Sequence, residues 1–354
     1  MKKGKISVVL FFTMLFSMSI LMAVLISGCG GSESGTDDEA TVNEDAPVIA
    51  LSNSYYGNTW RKQMVDSFEA AAEQAKADGL ISDYIVVNGD NTVNTQISQL
   101  NDLILKGVDV ICVDAASPTA LNGTIQEALK AGITVISFDS VVTEEDAYKL
   151  DFDFVNEGVT MAEYMVDRLD GKGNILLVRG IAGSTPDAGY YEGWTSVLDQ
   201  YPDIKIVGEV YGEFTTSTAE TKVSAILPSL PEIDAVLCSG GGDDWGVVQA
   251  FQSSSQDMPI IDGKGSAEFI SWWYTEYQNN DYETMSISTS PSVGAAAFWV
   301  GVNLMQGKEA PNYMVAPDVV INLDNLSEFA SIEPNTIADK NFGNDWVLEN
   351  IFNQ

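Results

Sequence analysis

Seven polar side chains stand at or near the ends of the apolar runs that predict β-strands. They are Ser52, Asn53, Asp114, Asp139, Asp153, Ser239 and Asp262. The carboxyl ends of parallel strands meet at one edge of a sheet, so we expect these groups to converge on one site. Aromatic residues accompany them: Tyr55, Tyr56, Trp60, Tyr190, Trp245, Trp272 and Trp273. Oxygen acceptors beside flat apolar faces predict the binding of a neutral ligand that carries several hydroxyl groups.

Other interpretations of these residues stay open. Each polar residue alone is also typical of a helix cap, and each aromatic residue of a core position. Paired carboxylates such as Asp139 and Asp262 would also suit glycoside hydrolysis. The glycines at 240–242 are typical of a phosphate loop, but the Lys-Ser/Thr of such loops is missing and two aspartates follow. A loop that permits close approach of a ligand or of backbone fits these glycines better.

The segment 48–64, VIALSNSYYGNTWRKQM, indicates how such groups are positioned. Its apolar start predicts a buried strand, after which a polar, aromatic loop leads to Trp60 and Arg61. One packed face of the following helix is predicted from the spacing of Met64, Phe68, Ala71, Ala72 and Ala75. The loop therefore lies between a strand and a helix, which is where ligands bind in open parallel sheets.

The alternation of apolar runs and helical patterns continues along the chain and restarts near residue 150. With 354 residues, it predicts an α/β fold of two doubly wound parallel-sheet (Rossmann-like) domains, joined by a hinge and separated by a cleft. We expect the chain to cross between them near Asp153 and Thr289. The predicted first lobe comprises 47–153 with 289–320, and the second lobe comprises 154–288. A C-terminal extension over 321–354 is predicted to pack near the hinge.

The first residues predict export. Lys2, Lys3 and Lys5 precede an apolar run over 6–26, which is typical of a signal peptide. The following Ile-Ser-Gly-Cys resembles the lipobox of bacterial lipoproteins, which implies removal of 1–28 and a lipid on the sulfur of Cys29. An uncleaved anchoring helix is the alternative, because the run is long enough to span a membrane. Segment 29–46 is rich in Gly, Ser and acids and predicts a disordered tether, so the remainder is expected outside the cytoplasm on a bacterial membrane.

Composition restricts the partners and the chemistry. Against 51 Asp and Glu there are 17 Lys and Arg, a formal charge of −34, which disfavours nucleic acid and other polyanions. Histidine is absent, and Cys112 and Cys238 lie in separate apolar runs. We interpret both cysteines as small buried residues rather than as a disulfide. No metal and no cofactor are expected.

Several motifs in one order resemble those of a known family. They are Ser52 with Trp60-Arg61, Asp114-Ala115-Ala116-Ser117-Pro118, Phe138-Asp139, Gly180-Ile181-Ala182-Gly183-Ser184 with Gly193-Trp194, and Asp262-Gly263. Over about 48–320 the chain resembles the ribose-binding-protein-like group of periplasmic sugar-binding proteins, the type I solute-binding components of ABC transporters. The resemblance implies the type I periplasmic-binding-protein fold. It also implies ligand contacts at Ser52, Tyr56, Trp60, Arg61, Asp114, Asp139, Asp153, Ile181, Tyr190 and Asp262.

The chain departs from this pattern at two arginines. Ribose binders usually have arginine where this chain has Ser140, and another near the position of Tyr190. We therefore expect Arg61 to be the main cationic donor, and another aldose, a polyol or a cyclitol is as well supported as ribose.

The resemblance implies a lipid-anchored, monomeric binding protein and not an enzyme. It would capture a small neutral sugar or polyol and deliver it to an ABC permease. The alternatives are a ligand receptor for a sensor kinase or chemoreceptor, and the hydrolase named above.

Overall fold

The computed structural model describes residues 45–352. The predicted signal peptide, the lipidation of Cys29 and nearly all of the tether lie outside the described residues. Among the helices of 45–352, none combines the length and apolar character that crossing a membrane requires.

Strands and helices alternate through the first part of the chain. They are β1 (Val48–Asn53), α1 (Thr59–Ala77), β2 (Asp83–Asn88), α2 (Val93–Lys106), β3 (Val110–Asp114), α3 (Asn122–Lys130), β4 (Thr134–Phe138) and β5 (Tyr148–Asp151). A second set follows: α4 (Phe154–Arg168), β6 (Lys172–Arg179), α5 (Thr185–Leu198), β7 (Asp203–Tyr211), α6 (Thr216–Ile226), a 3₁₀ turn (Leu227–Ser229), β8 (Ala235–Cys238), α7 (Asp243–Gln252), β9 (Ile260–Ile261), α8 (Ala267–Asn280) and β10 (Ser286–Ser288). The chain ends with α9 (Val293–Met305), β11 (Tyr313–Val315), β12 (Val319–Ile321), α10 (Leu326–Phe329), α11 (Asn344–Val347) and a π-helical turn (Leu348–Phe352).

Ten of the twelve strands given above form two parallel sheets, and β10 and β12 form an antiparallel pair. The first has the order β11-β5-β4-β3-β1-β2, and the second has the order β7-β6-β8-β9. In each sheet the order reverses beside the first strand of its set, which is the doubly wound arrangement with a ligand-binding switch point. We call the first sheet with its helices the first lobe, and the second sheet with its helices the second lobe. The predicted α/β fold of two doubly wound domains is confirmed.

The local sequence explains where α1 begins and which face it buries. Asn58 has extended backbone, and its side chain accepts a hydrogen bond from the Arg61 N–H at 2.8 Å. This cap starts the helix at the end of the first loop and so places Trp60 and Arg61 in its first turn. The predicted apolar face of α1 is buried.

The chain first passes from the first lobe to the second at 152–153, because β5 ends at Asp151 and α4 begins at Phe154. Helix α4 begins there because Asp153 Oδ1 accepts from the Asn156 N–H at 3.0 Å and caps the helix.

The other two crossings connect β10 with α9 and β11 with β12. Because β12 pairs with β10 and not with the first sheet, the third crossing lies at 316–318. The exact lobe boundaries stay a prediction.

The C-terminal segment 335–340 contacts elements of both lobes. Ile337 bridges Ser266, which directly precedes α8 of the second lobe. Asp339 accepts hydrogen bonds from Ser290 and Ser292, just before α9, and from Gln63 of α1. We propose that this segment fastens the two lobes to each other.

Cys112 and Cys238 are buried, lie in different sheets and form no disulfide within the described range 45–352, as predicted.

Candidate functional site

A narrow cavity lies between the two lobes at the carboxyl ends of their strands. Its volume is about 50 Å³, against roughly 300–1,000 Å³ for typical small-molecule sites, so a sugar ring enters only if the lobes move apart. The lining residues are Asn58, Trp60, Arg61, Asp139, Phe154, Pro186, Tyr190, Phe214, Ser239, Gly240, Gly241, Lys264, Ser288 and Thr289.

Arg61 is the centre of the wall that the first lobe supplies. Its guanidinium forms an ion pair with Asp114 at the end of β3, and Nη2 lies 3.6 Å from Oδ2 of Asp139 after β4. Nη1 also donates to Asn53 Oδ1 at 3.0 Å, at the end of β1. Three neighbouring strand ends thus hold one planar cation in place. Both hydrogens of Nη1 are directed to Asn53 and Asp114, so a ligand meets the other N–H groups of the guanidinium.

The carboxyl groups beside Arg61 are buried. Burial raises the pKa of Asp114 and of Asp139, and the Arg61 guanidinium opposes this rise. The ion pair with Asp114 nevertheless places a carboxyl group of the first lobe directly against the guanidinium of Arg61. Trp60 next to it donates from Nε1 to the Thr289 carbonyl oxygen at 3.2 Å, and this bond joins the start of α1 to the second crossing.

Lys264 is the centre of the opposite wall. It follows β9, is 1% exposed, and its ammonium group forms an ion pair with Glu157 of α4. The other carboxylate oxygen of Glu157 accepts from the Tyr190 hydroxyl at 3.0 Å, and Lys264 Nζ lies 4.2 Å from the centre of the Tyr190 ring. Burial raises the pKa of Glu157, and the Lys264 charge opposes this rise. The second lobe thus also presents a cation whose charge is offset.

Aromatic rings cover the rest of the second-lobe wall. Phe154 and Tyr190 pack edge to face with centroids 5.4 Å apart. Phe214, in the loop after β7, has a left-handed backbone with φ 57°. Its ring fits against Gly180 and Gly240, where an added Cβ would lie 2.0 Å and 2.3 Å from ring carbons. Such rings suit the apolar face of a sugar or polyol.

The structure brings some of the predicted site residues together. Trp60, Arg61, Asp139 and Tyr190 line the cavity. Asp114 lies behind Arg61 and contacts it. Tyr190 stands beside Lys264, a cationic donor that comes from another loop.

The remaining predicted residues do not line the cavity. Ser52 is buried and accepts from Gln96 Nε2 at 3.2 Å, and Asp153 caps α4. Tyr56 is 40% exposed on the first loop, and Ile181 lies in the loop before α5, where its carbonyl oxygen accepts from the Ser184 N–H. Asp262 is fully buried and accepts from the Cys238 N–H at 2.6 Å. Their direct contact with a ligand stays a prediction.

Sequence reasoning missed Lys264, Phe154, Phe214, Ser288 and several smaller lining residues. A signal existed for two of them, because Lys264 follows a predicted strand end by two residues and Phe214 lies in the loop after another. Lysine is rarely buried, so this position alone does not predict that Lys264 lies in the site.

The cavity presents hydrogen-bond donors from both lobes to a small ligand. Within 45–352, no group of three or more His, Cys, Asp or Glu side chains is placed to hold a metal ion. Of the two carboxylates considered for hydrolysis, Asp139 lines the cavity and interacts with Arg61, whereas Asp262 lies outside the lining. Arg61 and Lys264 donate from opposite walls, and each is paired with a carboxyl group of the protein. This arrangement favours an uncharged ligand that has oxygen acceptors at both ends.

Comparisons with known proteins agree with this architecture. Residues 49–309 match the family model described as periplasmic binding protein domain. A solved structure of an ABC transporter solute binding protein from Thermobispora bispora is 36% identical and has a TM-score of 0.80, covering 86% of this chain and 94% of that one.

Two curated relatives are more distant. The xylitol-binding protein of Mycolicibacterium smegmatis is 26% identical over 242 residues, 68% of each chain. The ribose import binding protein RbsB of Bacillus subtilis is 22% identical over 287 residues, 81% of this chain and 88% of that one.

Proposed function

The chain belongs to the periplasmic binding protein family, and from this premise we propose that it captures a monosaccharide or polyol between its lobes and delivers it to an ABC permease. The observation that carries the proposal is the pair of opposed donors, Arg61 and Lys264, in a cavity whose walls come from both lobes. A ligand held by both donors would stabilise the closed arrangement of the lobes.

The choice of ligand class rests on charge and on surface. Arg61 pairs with Asp114 and Lys264 pairs with Glu157, so neither cation is free to neutralise a negative group on the ligand. Trp60, Phe154, Tyr190 and Phe214 supply flat faces, which suit the C–H groups of a carbohydrate. Two relatives, a xylitol-binding protein and a ribose import binding protein, support the same class of ligand, a monosaccharide or polyol.

We further propose that the protein acts outside the cytoplasm on a lipid anchor at Cys29. The support is the sequence of the first 29 residues and the match to a periplasmic binding protein domain. Mass spectrometry of the membrane fraction tests it, because a diacylglycerol adduct on Cys29 is expected after loss of residues 1–28. Replacing Cys29 by Ser should release the protein.

A ligand screen tests the binding function. The purified protein is heated with each of a panel of aldopentoses, aldohexoses, pentitols, hexitols and inositols, and compounds that raise the unfolding temperature are measured by calorimetry. At least one uncharged compound is expected to bind. If none binds, the proposal fails, and a ligand recovered chemically changed would indicate an enzyme.

The delivery step needs a separate test. The liganded protein, crosslinked in membranes of its own host, is expected to recover a permease. Recovery of a sensor ectodomain in its place would replace delivery by signalling.

A further inference from the structure

Glu157 lies behind the cavity wall and contacts two residues that line the cavity. One carboxylate oxygen pairs with the Lys264 ammonium group, and the other accepts from the Tyr190 hydroxyl. Glu157 itself is buried and does not line the cavity. A ligand therefore meets Lys264 and Tyr190 but not the carboxylate that neutralises Lys264.

We propose that Glu157 is a positioning residue that restricts the cleft to uncharged ligands by neutralising Lys264. The inference rests on the proposed function and adds the feature that excludes sugar acids. Without Glu157, the ammonium group of Lys264 would attract the carboxylate of an aldonate or uronate. With Glu157 present, Lys264 donates hydrogen bonds but offers no net charge.

The hydrogen-bonding capacity of Lys264 fits this role. An ammonium group has three hydrogens and no acceptor, and one hydrogen is directed to Glu157. Nζ also lies over the Tyr190 ring, which restricts where the remaining hydrogens point. They stay available to hydroxyl oxygens of a ligand in the cavity.

Two further carboxyl groups interact electrostatically with Lys264, namely Asp262, which stands two residues before it, and Asp318 at the third crossing. Burial raises the pKa of Asp262 and of Asp318 to about 8, so at neutral pH most of each carboxyl group is protonated. Glu157, which forms the ion pair with Lys264, is therefore the group that neutralises the ammonium. On the opposite wall, Asp114 and Asp139 lie against Arg61.

Replacing Glu157 with Gln isolates the charge. The amide keeps the size of the side chain and an acceptor for Lys264, but it removes the negative charge. We expect the Glu157→Gln variant to bind a sugar acid at least about tenfold more tightly than the wild type does, as for close charge pairs elsewhere. Affinity for the matching neutral sugar should change less.

The matched control is Glu209→Gln. Glu209 on β7 also pairs with a cation, Arg179, and does not line the cavity. Arg179 keeps its bonds to Asp187 at 2.7 and 2.8 Å, so this variant removes one negative charge while leaving the cation paired. It should leave the discrimination between neutral and acidic ligands as in the wild type.

Calorimetry at neutral pH and constant ionic strength compares D-glucose with D-glucuronate, and xylitol with D-xylonate. Tighter acid binding by Glu157→Gln that disappears when Lys264 is also replaced by Gln supports the proposal. A folded Glu157→Gln variant that binds the neutral compound and gains no affinity for the acid overturns it.

Loss of folding in Glu157→Gln would not end the test. In that case Glu157→Asp, which shortens the side chain and moves the carboxylate away from Lys264, should show a smaller gain for the acids. No gain in the folded variant again overturns the proposal. If the wild type binds no neutral compound of the panel, the proposed function fails, and the acid response of the variants still decides the role of Glu157.

Discussion

The side-chain amide of Gln63 and the main chain of Ile337 exchange two hydrogen bonds. Gln63 Nε2 donates to the Ile337 carbonyl oxygen at 3.0 Å, and the Ile337 N–H donates to Gln63 Oε1 at 2.9 Å. Gln63 belongs to α1 of the first lobe, and Ile337 pairs with Ser266 of the second lobe. Ile337 of the C-terminal segment is thus bonded to Gln63 of the first lobe and to Ser266 of the second.

Replacing Gln63 with Ala should lower the free energy of unfolding by about 1–3 kcal/mol, because two hydrogen bonds with Ile337 and one to Asp339 are lost at a site only partly open to water. Ligand affinity should fall as well, since the closed arrangement loses one of its contacts. Urea unfolding and calorimetry measure the two effects. Gln74→Ala, at an exposed position of the same helix, is the control. Equal stability of the two variants would contradict the role of Gln63.

Arg61 has a structural role as well as a binding role. Arg61→Ala leaves Asp114 and Asp139 buried without their cation and should lower the free energy of unfolding by about 3–5 kcal/mol. Arg61→Lys keeps the charge and should recover much of that stability. It loses the planar fork, however, so affinity should stay at least about tenfold below that of the wild type. Wild-type affinity in Arg61→Lys would show that the fork is not used.

The fold was predictable because burial in parallel strands and packed helix faces leaves a periodic pattern. The spacing from Met64 to Ala75 predicted the buried face of α1, and the restart of the pattern predicted the second sheet. The predicted likeness to ribose-binding-type periplasmic proteins is confirmed at the level of the family.

The site was predictable only in part, because position at a strand end does not determine where a side chain points. Arg61 and Asp139 face the cavity, whereas Asp262 turns toward the Cys238 N–H and Asp153 toward the first turn of α4. Lys264 depends on Glu157, which is 107 residues away in sequence. A local sequence pattern cannot predict a pairing between residues so far apart in the chain.

Gly240 should be intolerant of a side chain. A Cβ there would lie 2.3 Å from Cδ1 of Phe214, so Gly240→Ala should push the Phe214 ring and weaken ligand binding at least about tenfold. Gly123→Ala is the matched control, because a Cβ at that helical position meets nothing within 4 Å. The control should keep affinity and gain about 0.5–1 kcal/mol of stability. Adding Phe214→Ala to Gly240→Ala should relieve the clash. If the double variant is no more stable than Gly240→Ala, contact with the Phe214 ring is not the cause of the change.

Asp262 should make stability depend on pH. Burial raises the pKa of Asp262 to about 8, and its Oδ2 has no hydrogen-bond partner among residues 45–352. Between the ordinary aspartate pKa of about 4 and this value, the folded protein keeps a proton that the unfolded chain has lost. Unfolding then releases a proton, so the stabilising contribution is complete below about pH 4 and is lost as the pH rises toward 8.

Asp262→Asn removes this titration while keeping an acceptor for the Cys238 N–H. Relative to the variant, the wild type should lose at most about 1.4 kcal/mol per pH unit as the pH rises toward 8. Urea unfolding from pH 5 to pH 9 measures the difference, with Asp203→Asn at an exposed position as the control. Because buried groups such as Asp114 and Asp318 are present in both proteins, their titration cancels in the comparison. Parallel curves for the wild type and Asp262→Asn would mean that Asp262 carries the same charge in the folded and unfolded chains, and that its burial does not set its protonation.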